Sequence, residues 1–157
     1  MNKQDSPALQ KAKRYAFLLL KFRMRSEAEI SRRLEAKKFD RQTIAQVVSF
    51  LKEKGFLDDD EFARAWIASR IKKPLGLRRL RVELRLKGID SDIIDRQIGR
   101  VKEEYSEEAI VERLVREKSG KLKGLDPQQA KRRIFSSLVR RGFSSDAIVE
   151  AISKLDS

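Results

Sequence analysis

The chain has 157 residues, of which 40% are apolar, and this is enough to bury the core of one ordinary domain or of a short repeat array. It carries 37 Lys and Arg residues against 24 Asp and Glu, a formal net charge of +13, which favours a polyanionic partner such as nucleic acid. Histidine and cysteine are both absent, so the composition excludes Cys/His zinc sites, thiol nucleophiles, imidazole bases and disulfides. Carboxylate or lysine chemistry alone stays open, but we predict a binding function, with no catalytic residue, no cofactor and no bound metal.

The apolar segments are short. The longest, Tyr15 to Leu20, cannot span a bilayer and lacks the flanks of a secretion signal. We predict a cytoplasmic protein that makes no membrane contact. No apolar stripe is left over for self-association, so we also expect a monomer.

One apolar spacing occurs three times. Counted from Phe39, Ile89 or Phe143, the residues at offsets −9, −5, 0, +5, +9 and +12 are apolar in every case. Helical repeats produce this kind of self-similarity, so the sequence predicts an all-α, elongated and curved tandem array of three three-helix units. We call these units the first, second and third copy. Their predicted ranges are 1–57, 58–104 and 105–157.

The first copy shows clear helix-start signals. Ser6, followed by a proline, predicts the N-cap of a first helix, with Phe22 among its inward residues. Ser26 and Glu29 form a capping box for the second helix, and Asp40 is the predicted N-cap of the third.

The second copy begins after Gly55, which we expect in the left-handed C-terminal position of the preceding helix. Asp58 and Glu61 predict another capping box. The acidic run "LDDDE" could hold a divalent metal, but helix capping explains it better because a second ligand group at a recognisable spacing is missing. We interpret Trp66 as a core residue rather than a base-stacking platform.

A strongly basic helix is predicted from Leu77 to Lys87, after a break at Pro74 and Gly76. Leucines form its inward stripe, and arginines form a second stripe rotated by about 100°. The two predicted stripes are Leu77, Leu80 and Leu84, and Arg78, Arg81 and Arg85.

The third copy begins at Ser106 and contains an insertion, "EKSGKLKGLDPQQ", that we predict to be a mobile surface loop ending at the N-cap Asp126. Basic residues in the following helix match those of the second copy: Arg132 with Arg78, Arg133 with Arg79, and Arg141 with Lys87.

Two other interpretations of these motifs are weaker. The basic helix could be a DNA recognition helix, but it lacks the Asn and Gln side chains that read bases, and Leu86 would add to an already wide apolar face. Gly120 and Gly124 lack the G-K-[ST] of a phosphate-binding loop. An enzyme would need a pocket of lysines or carboxylates that the sequence does not locate.

The segment "GFLDDDEFARAWIASRIKKPLGLRRLRVELRLKGID", from Gly55 to Asp90, resembles the central signature of the bacterial RecX regulatory proteins. The resemblance implies an all-α modular protein that binds the RecA filament on single-stranded DNA and modulates, mainly inhibits, its assembly, ATP hydrolysis and recombinase activity. It places Asp58 and Asp59 at a helix start, Arg70 at a basic helix end, Gly76 at the break, and residues 83–89 in the closing motif. The first copy departs from the pattern, with Lys38 where the others have Gly88 and Gly142.

The leading hypothesis is therefore a non-enzymatic regulator of RecA filaments, by capping an end or by blocking the groove. The alternative is a general nucleic-acid-binding helical module that acts through phosphate contacts. In both cases the partners are reached through basic residues. A filament regulator would bind single-stranded or double-stranded DNA weakly and in a salt-dependent way, whereas the general module would bind bare DNA strongly, with a steep loss as salt rises. The candidate RecA- or DNA-binding residues are Arg70, Lys72, Lys73, Arg78, Arg79, Arg81, Arg85, Lys87, Lys131, Arg132, Arg133, Arg140 and Arg141.

Overall fold

The structure is a computed structural model that describes residues 4–156. Within that range the chain forms nine α-helices and one short 3-10 helix, and no β-strand. The prediction of an all-α chain with three helices in each copy is confirmed. The helices are α1 (Pro7–Phe22), α2 (Glu27–Ala36), α3 (Arg41–Glu53), α4 (Asp59–Arg70), α5 (Leu77–Leu86), α6 (Ser91–Lys102), α7 (Glu107–Lys121), α8 (Pro127–Arg140) and α9 (Ser145–Ser153), with the 3-10 helix at Lys154–Asp156.

The chain divides into two compact units. The first contains the residues up to Trp66 together with Leu84–Ile93, and the second contains Ile67–Glu83 together with the residues from Ile94 onward. The division passes through α4, α5 and α6, so the two ends of α5 belong to different compact units. The ranges 1–57, 58–104 and 105–157 of the three copies stay predictions.

In the first compact unit, α1, α2 and α3 pack on one another around an apolar core. Phe22 does not join this core and is 77% exposed, so its predicted inward position is wrong. Phe22 is the last residue of α1, where the chain leaves the core. Its side chain is rotated by about 60° around the helix axis from that of the buried Leu19. The buried core residues are Ala12, Ala16, Leu19, Ile30, Leu34, Ile44, Val47, Leu51 and Leu57.

The predicted helix starts are confirmed by hydrogen bonds. The side chains of Ser6, Ser26, Asp40 and Asp58 each accept a hydrogen bond from the backbone N–H three residues further on. Glu29 completes the capping box, because its carboxylate accepts the N–H of Ser26 at 3.2 Å. These contacts satisfy backbone donors that a helix leaves unpaired at its first turn.

Asp59 has a structural role that its position in the acidic run did not reveal. Its carboxylate accepts the N–H of Glu27 at 3.0 Å, so a residue of α4 supports the first turn of α2. The residue is 8% exposed, and burial raises the pKa of its carboxyl to about 6. The run "LDDDE" therefore serves helix ends, as the capping interpretation predicted.

The C-terminal end of α5 is held by α2 within the first compact unit. The Ser26 hydroxyl donates to the Lys87 carbonyl at 2.6 Å, and Arg32 Nη1 donates to the Leu86 carbonyl at 3.0 Å. Gly88 has φ +77°, and a Cβ there would lie 2.2 Å from the Ala28 Cβ. Glycine is therefore required at this turn for both its conformation and its size.

In the second compact unit, α7, α8 and α9 pack around their own core. The core is contributed mainly by the apolar positions of the third copy, as the repeat pattern predicts. Its buried residues are Val111, Leu114, Val115, Ile134, Leu138, Phe143, Ile148 and Ala151.

The N-terminal end of α5 is held within the same second compact unit. The Leu77 N–H donates to the Glu107 carboxylate at 3.0 Å, and the Gly76 N–H donates to the Arg141 carbonyl at 2.8 Å. A Cβ on Gly76 would lie 2.0 Å from backbone atoms of Gly142. At Gly76, before the basic helix, the backbone thus approaches the backbone of the α8–α9 turn closely, and this contact fixes where α5 begins.

Candidate interaction surfaces

The second copy neutralises several of its own arginines. Arg70 makes two hydrogen bonds to Glu83, each 2.9 Å long, and Arg79 Nε lies 3.3 Å from the same carboxylate. The bonds to Glu83 raise the pKa of the Arg70 guanidinium. Arg81 makes a single hydrogen bond, from Nη1, to the carboxylate of Asp95. These three predicted site residues therefore share two carboxylates, which compensate most but not all of their charge.

The exposed face of α5 combines arginine with aliphatic side chains. Arg78 and Arg85 are exposed and form no ion pair with any residue in the range 4–156. Val82 and Leu86 are 51% and 69% exposed. Because residues four apart on a helix share a face, Arg78, Val82 and Leu86 form one strip, with Arg85 beside it. Leu86 thus adds apolar surface to the exposed side of α5 and not to its inward stripe.

The remaining candidates of the second copy lie at the two ends of α5. Lys72 and Lys73 are exposed in the turn after α4. Lys87 lies 3.7 Å from Glu29 and places its ammonium 4.9 Å from the centre of the Trp66 ring. Trp66 is half-buried and stacks on Phe62, with 6.0 Å between ring centres, which agrees with a packing role. Lys87 thus stabilises this end of the helix.

The third copy forms a basic cleft that the sequence interpretation did not foresee. The segment predicted as a loop after residue 116 is helical as far as Lys121, so α7 continues through Gly120 and runs beside α8. Together they enclose a cleft of about 550 Å³, which we call the α7–α8 cleft. It is lined by Lys118, Lys121, Leu122, Arg132, Arg133, Ile134, Ser136, Ser137 and Arg140.

The charge of the α7–α8 cleft is uncompensated. Its lining contains five cationic residues and no carboxylate, and none of the five forms an ion pair with a residue in the part of the chain that the structure describes. Burial lowers the pKa of Lys118, and the neighbouring cations Arg141, Lys121 and Arg140 lower it further. Mutual repulsion of this kind is relieved when an anion enters.

The other two basic candidates of the third copy are placed differently. Lys131 pairs with Asp156 at 2.8 Å. Arg141 lies beside Lys118, close enough to lower its pKa, and its backbone carbonyl is occupied by Gly76. The predicted residues that the α7–α8 cleft brings together are therefore Arg132, Arg133 and Arg140, to which the structure adds Lys118 and Lys121.

The sequence pattern does not reveal Lys118 and Lys121 as site residues, because the two glycines and the proline around them indicate a loop. A different signal was present in the sequence: Arg113 and Glu117, spaced i and i+4, form an ion pair at 3.0 Å that supports α7 where the loop was predicted to begin. A single glycine within a helix costs only about 1 kcal/mol, which the packing of α7 on α8 and α9 can offset.

A groove of the first compact unit has a different character. It lies between α2 and α3, has a volume of about 790 Å³, and is lined by Glu27, Glu35 and Glu53 as well as Arg41 and Lys52. Among the described residues, no cluster of three or more carboxylates could hold a metal ion. No helix in the range 4–156 is long and apolar enough to cross a membrane.

Comparison with known proteins identifies the family. The models of the first, second and third RecX three-helix domains match residues 12–51, 58–96 and 106–152. The regulatory protein RecX of Amycolatopsis mediterranei is 37% identical over 134 residues, covering 85% of this chain and 76% of that protein. The regulatory protein RecX of Prosthecochloris aestuarii is 36% identical over 146 residues, covering 92% and 93%.

Solved structures agree on the fold. The crystal structure of RecX from Lactobacillus salivarius superimposes with a TM-score of 0.81 at 19% identity, covering 95% of this chain and 97% of that one. Three domain matches in the order of the three copies, together with relatives that align over most of the sequence, lead to one conclusion. The chain belongs to the RecX family of regulatory proteins.

Proposed function

We propose that this chain is a non-enzymatic regulator that binds RecA nucleoprotein filaments and mainly inhibits their assembly, ATP hydrolysis and recombinase activity. Membership of the RecX family supports RecA as the partner. The strip on α5 carries the proposal on the structural side, because it offers arginines and exposed aliphatic side chains together. Arginine and buried apolar contacts are common at the centres of protein–protein interfaces.

The alternative is a general nucleic-acid-binding module. It is favoured by the net charge of +13 and by the α7–α8 cleft. It does not account for Val82 and Leu86, because exposed aliphatic side chains contribute little to phosphate binding. We therefore propose that α5 contacts the recombinase and that nucleic acid binding supports this contact.

The double substitution Val82→Ser and Leu86→Ser tests the proposed function. It removes apolar area from α5 while leaving every charge in place, so protein contact weakens and phosphate contact does not. We expect the concentration that half-inhibits ATP hydrolysis by RecA on single-stranded DNA to rise about tenfold, the effect of losing roughly 1.4 kcal/mol of binding.

Val149→Ser is the matched control, because Val149 is also an exposed valine, 57% accessible, on α9. It should leave inhibition unchanged. Circular dichroism and urea unfolding establish that both variants are folded. Inhibition by a folded double variant at the wild-type concentration would contradict the assignment of α5, and absence of inhibition by the wild-type chain would contradict the proposed function.

A further inference from the structure

The second and third copies differ at the positions that surround their arginines. When the copies are aligned at Ile89 and Phe143, Glu83 of the second copy corresponds to Ser137 of the third, and Asp95 corresponds to Val149. These are the two carboxylates that pair with Arg70, Arg79 and Arg81. Arg79 corresponds to Arg133, which the third copy keeps without an acid to pair with it, whereas Arg81 corresponds to Phe135, so that this ion pair is lost as a whole.

The same alignment exchanges aliphatic residues for polar ones. Val82 corresponds to Ser136, and Leu86 corresponds to Arg140. Both third-copy residues line the α7–α8 cleft. Helices α5 and α8 therefore present opposite chemistry from equivalent positions: an aliphatic strip on α5, and hydroxyl and guanidinium groups on α8.

The lining of the cleft fits a chain of phosphate groups. Lysine and arginine side chains supply charge and N–H donors, and Ser136 and Ser137 supply hydroxyl donors of the kind that contact phosphate oxygens. Leu122 and Ile134 give the lining an apolar part that suits the carbon atoms of a sugar. A cluster of five cations without a carboxylate favours a partner with several adjacent negative charges over a partner with only one or two.

The shape of the cleft favours one strand over two. It is a narrow groove between two packed helices, whose axes are generally about 8–10 Å apart, so one backbone can follow it while the second strand of a duplex would find no contact inside it. No aromatic side chain lines it, and base stacking therefore cannot contribute. Contacts to the backbone alone predict binding that is insensitive to base sequence and strongly dependent on salt.

We infer that the α7–α8 cleft is a binding site for the phosphodiester backbone of a single nucleic-acid strand. In one respect this inference rests on the proposed function: if the chain binds RecA filaments, the strand in the cleft is the DNA that RecA coats. The chemistry of the cleft does not depend on the recombinase. It divides the basic residues of the chain into a protein-contacting set on α5 and a phosphate-contacting set in the third copy.

The test measures binding of the full chain to a fluorescein-labelled oligothymidylate of about 15 nucleotides, a length within single-module site sizes, without recombinase. The triple substitution Lys121→Gln, Arg132→Gln and Arg140→Gln removes three contacts. We expect affinity at ~0.1 M salt to fall by about 10- to 100-fold, and the slope of log affinity against log salt to become shallower by about 2.

A charge-matched control separates the site from the general field of the molecule. It removes three exposed cations that lie outside the cleft and should cost less than about threefold in affinity. Equal losses in the two triple variants would overturn the site. The control substitutions are Lys54→Gln, Arg116→Gln and Lys123→Gln.

Ser137→Glu tests the same site with a single substitution. It restores the acid that the second copy carries at the equivalent position, and the new carboxylate can pair with Arg133 as Glu83 pairs with Arg79. We expect oligothymidylate affinity to fall about fivefold or more, since roughly one phosphate contact is lost. Ser137→Gln, which is as large as Ser137→Glu but uncharged, replaces the hydroxyl by an amide that can also donate to a phosphate oxygen, so it should lose less than about twofold in affinity. Equal affinity of the Glu and Gln variants would contradict the inference.

Two competitors distinguish the sources of the phosphate chain. A duplex of the same length and sodium tripolyphosphate are each titrated against the labelled strand. We expect both to compete less well than unlabelled oligothymidylate. Tighter binding of the duplex, or displacement by tripolyphosphate at concentrations near those of the protein, would overturn the assignment to a single strand. These titrations contain no RecA. A negative result would therefore contradict the assignment of the cleft without testing the proposed regulation of RecA, which the ATP hydrolysis assay measures separately.

Discussion

Helices α5 and α8 occupy equivalent positions in their copies, yet they treat their arginines differently. On α5, Glu83 holds Arg79 and also Arg70 from α4, and Asp95 holds Arg81. On α8, Arg132, Arg133 and Arg140 have no ion-pair partner in the described chain. A basic sequence pattern therefore does not by itself indicate what a surface binds, because the placement of nearby acids decides how much of the charge is available.

The comparison also shows how a repeat can diversify without a change of fold. The apolar template positions are retained in both copies, and the variable positions lie between them on the solvent side. The exchange of Val82 and Leu86 for Ser136 and Arg140 alters only what the helix presents to a partner. This arrangement permits one copy to contact protein and another to contact phosphate.

The largest effect is expected from breaking the turn that sets the position of α8 and α9. Gly142 has φ +88°, and a Cβ there would lie 2.4 Å from the Arg79 Cβ. Gly142→Ala therefore combines a left-handed backbone with a steric clash, and we expect it to lower the free energy of unfolding by about 2–4 kcal/mol. Urea unfolding followed by circular dichroism measures the loss.

Gly120→Ala is the control for that experiment. Gly120 lies within α7, and an added Cβ would meet nothing within 4 Å. We expect this substitution to raise the free energy of unfolding by about 0.5–1 kcal/mol, because alanine favours a helix interior. A Gly142→Ala protein as stable as the wild type would show that the approach of this turn to Arg79 is not required.

A smaller effect is expected from making the second copy resemble the third. Glu83→Gln removes the charge that neutralises Arg70 and Arg79 but keeps an oxygen that can accept one hydrogen bond. We expect a loss of about 1 kcal/mol in the free energy of unfolding and a roughly two- to threefold gain in affinity for oligothymidylate. Unfolding in urea and fluorescence anisotropy provide the two values; unchanged affinity would mean that ion pairing does not limit what α5 can bind.

The smallest effect is expected in the first copy. Lys38 has φ +69° at the turn where the other copies use Gly88 and Gly142. Because a side chain is disfavoured in this conformation, Lys38→Gly should raise the free energy of unfolding by about 0.5–1 kcal/mol. Chemical denaturation can detect a change of this size. A decrease in stability would indicate that the lysine side chain contributes more than its backbone conformation costs.

Local signals made most of the fold predictable. Ser26 with Glu29, Asp40 and Asp58 gave the correct helix starts because capping depends on residues three apart in the chain. The apolar template gave the core because helical periodicity is also local. The exposure of Phe22 was not predictable in this way, since it depends on where the chain leaves the helix.

The candidate surfaces were less predictable because they depend on residues distant in the sequence. Nothing close to Arg81 in the chain indicated that Asp95 would neutralise it. Lys118 and Lys121 became part of a cleft only because α7 continues beside α8. The Glu83 that pairs with Arg79 lies four residues away and could be read from the sequence, but the pairing of Arg70 and Arg81 required their three-dimensional neighbours.

The most direct test of the central claim compares binding of this chain to bare single-stranded DNA and to the same DNA coated with RecA, as salt is raised. If α5 contacts the recombinase through Val82 and Leu86, binding to the filament should persist at salt concentrations that abolish binding to the bare strand, because apolar contacts do not release counterions. Parallel loss of the two binding activities would contradict a protein-directed regulator and leave a chain that recognises phosphate alone.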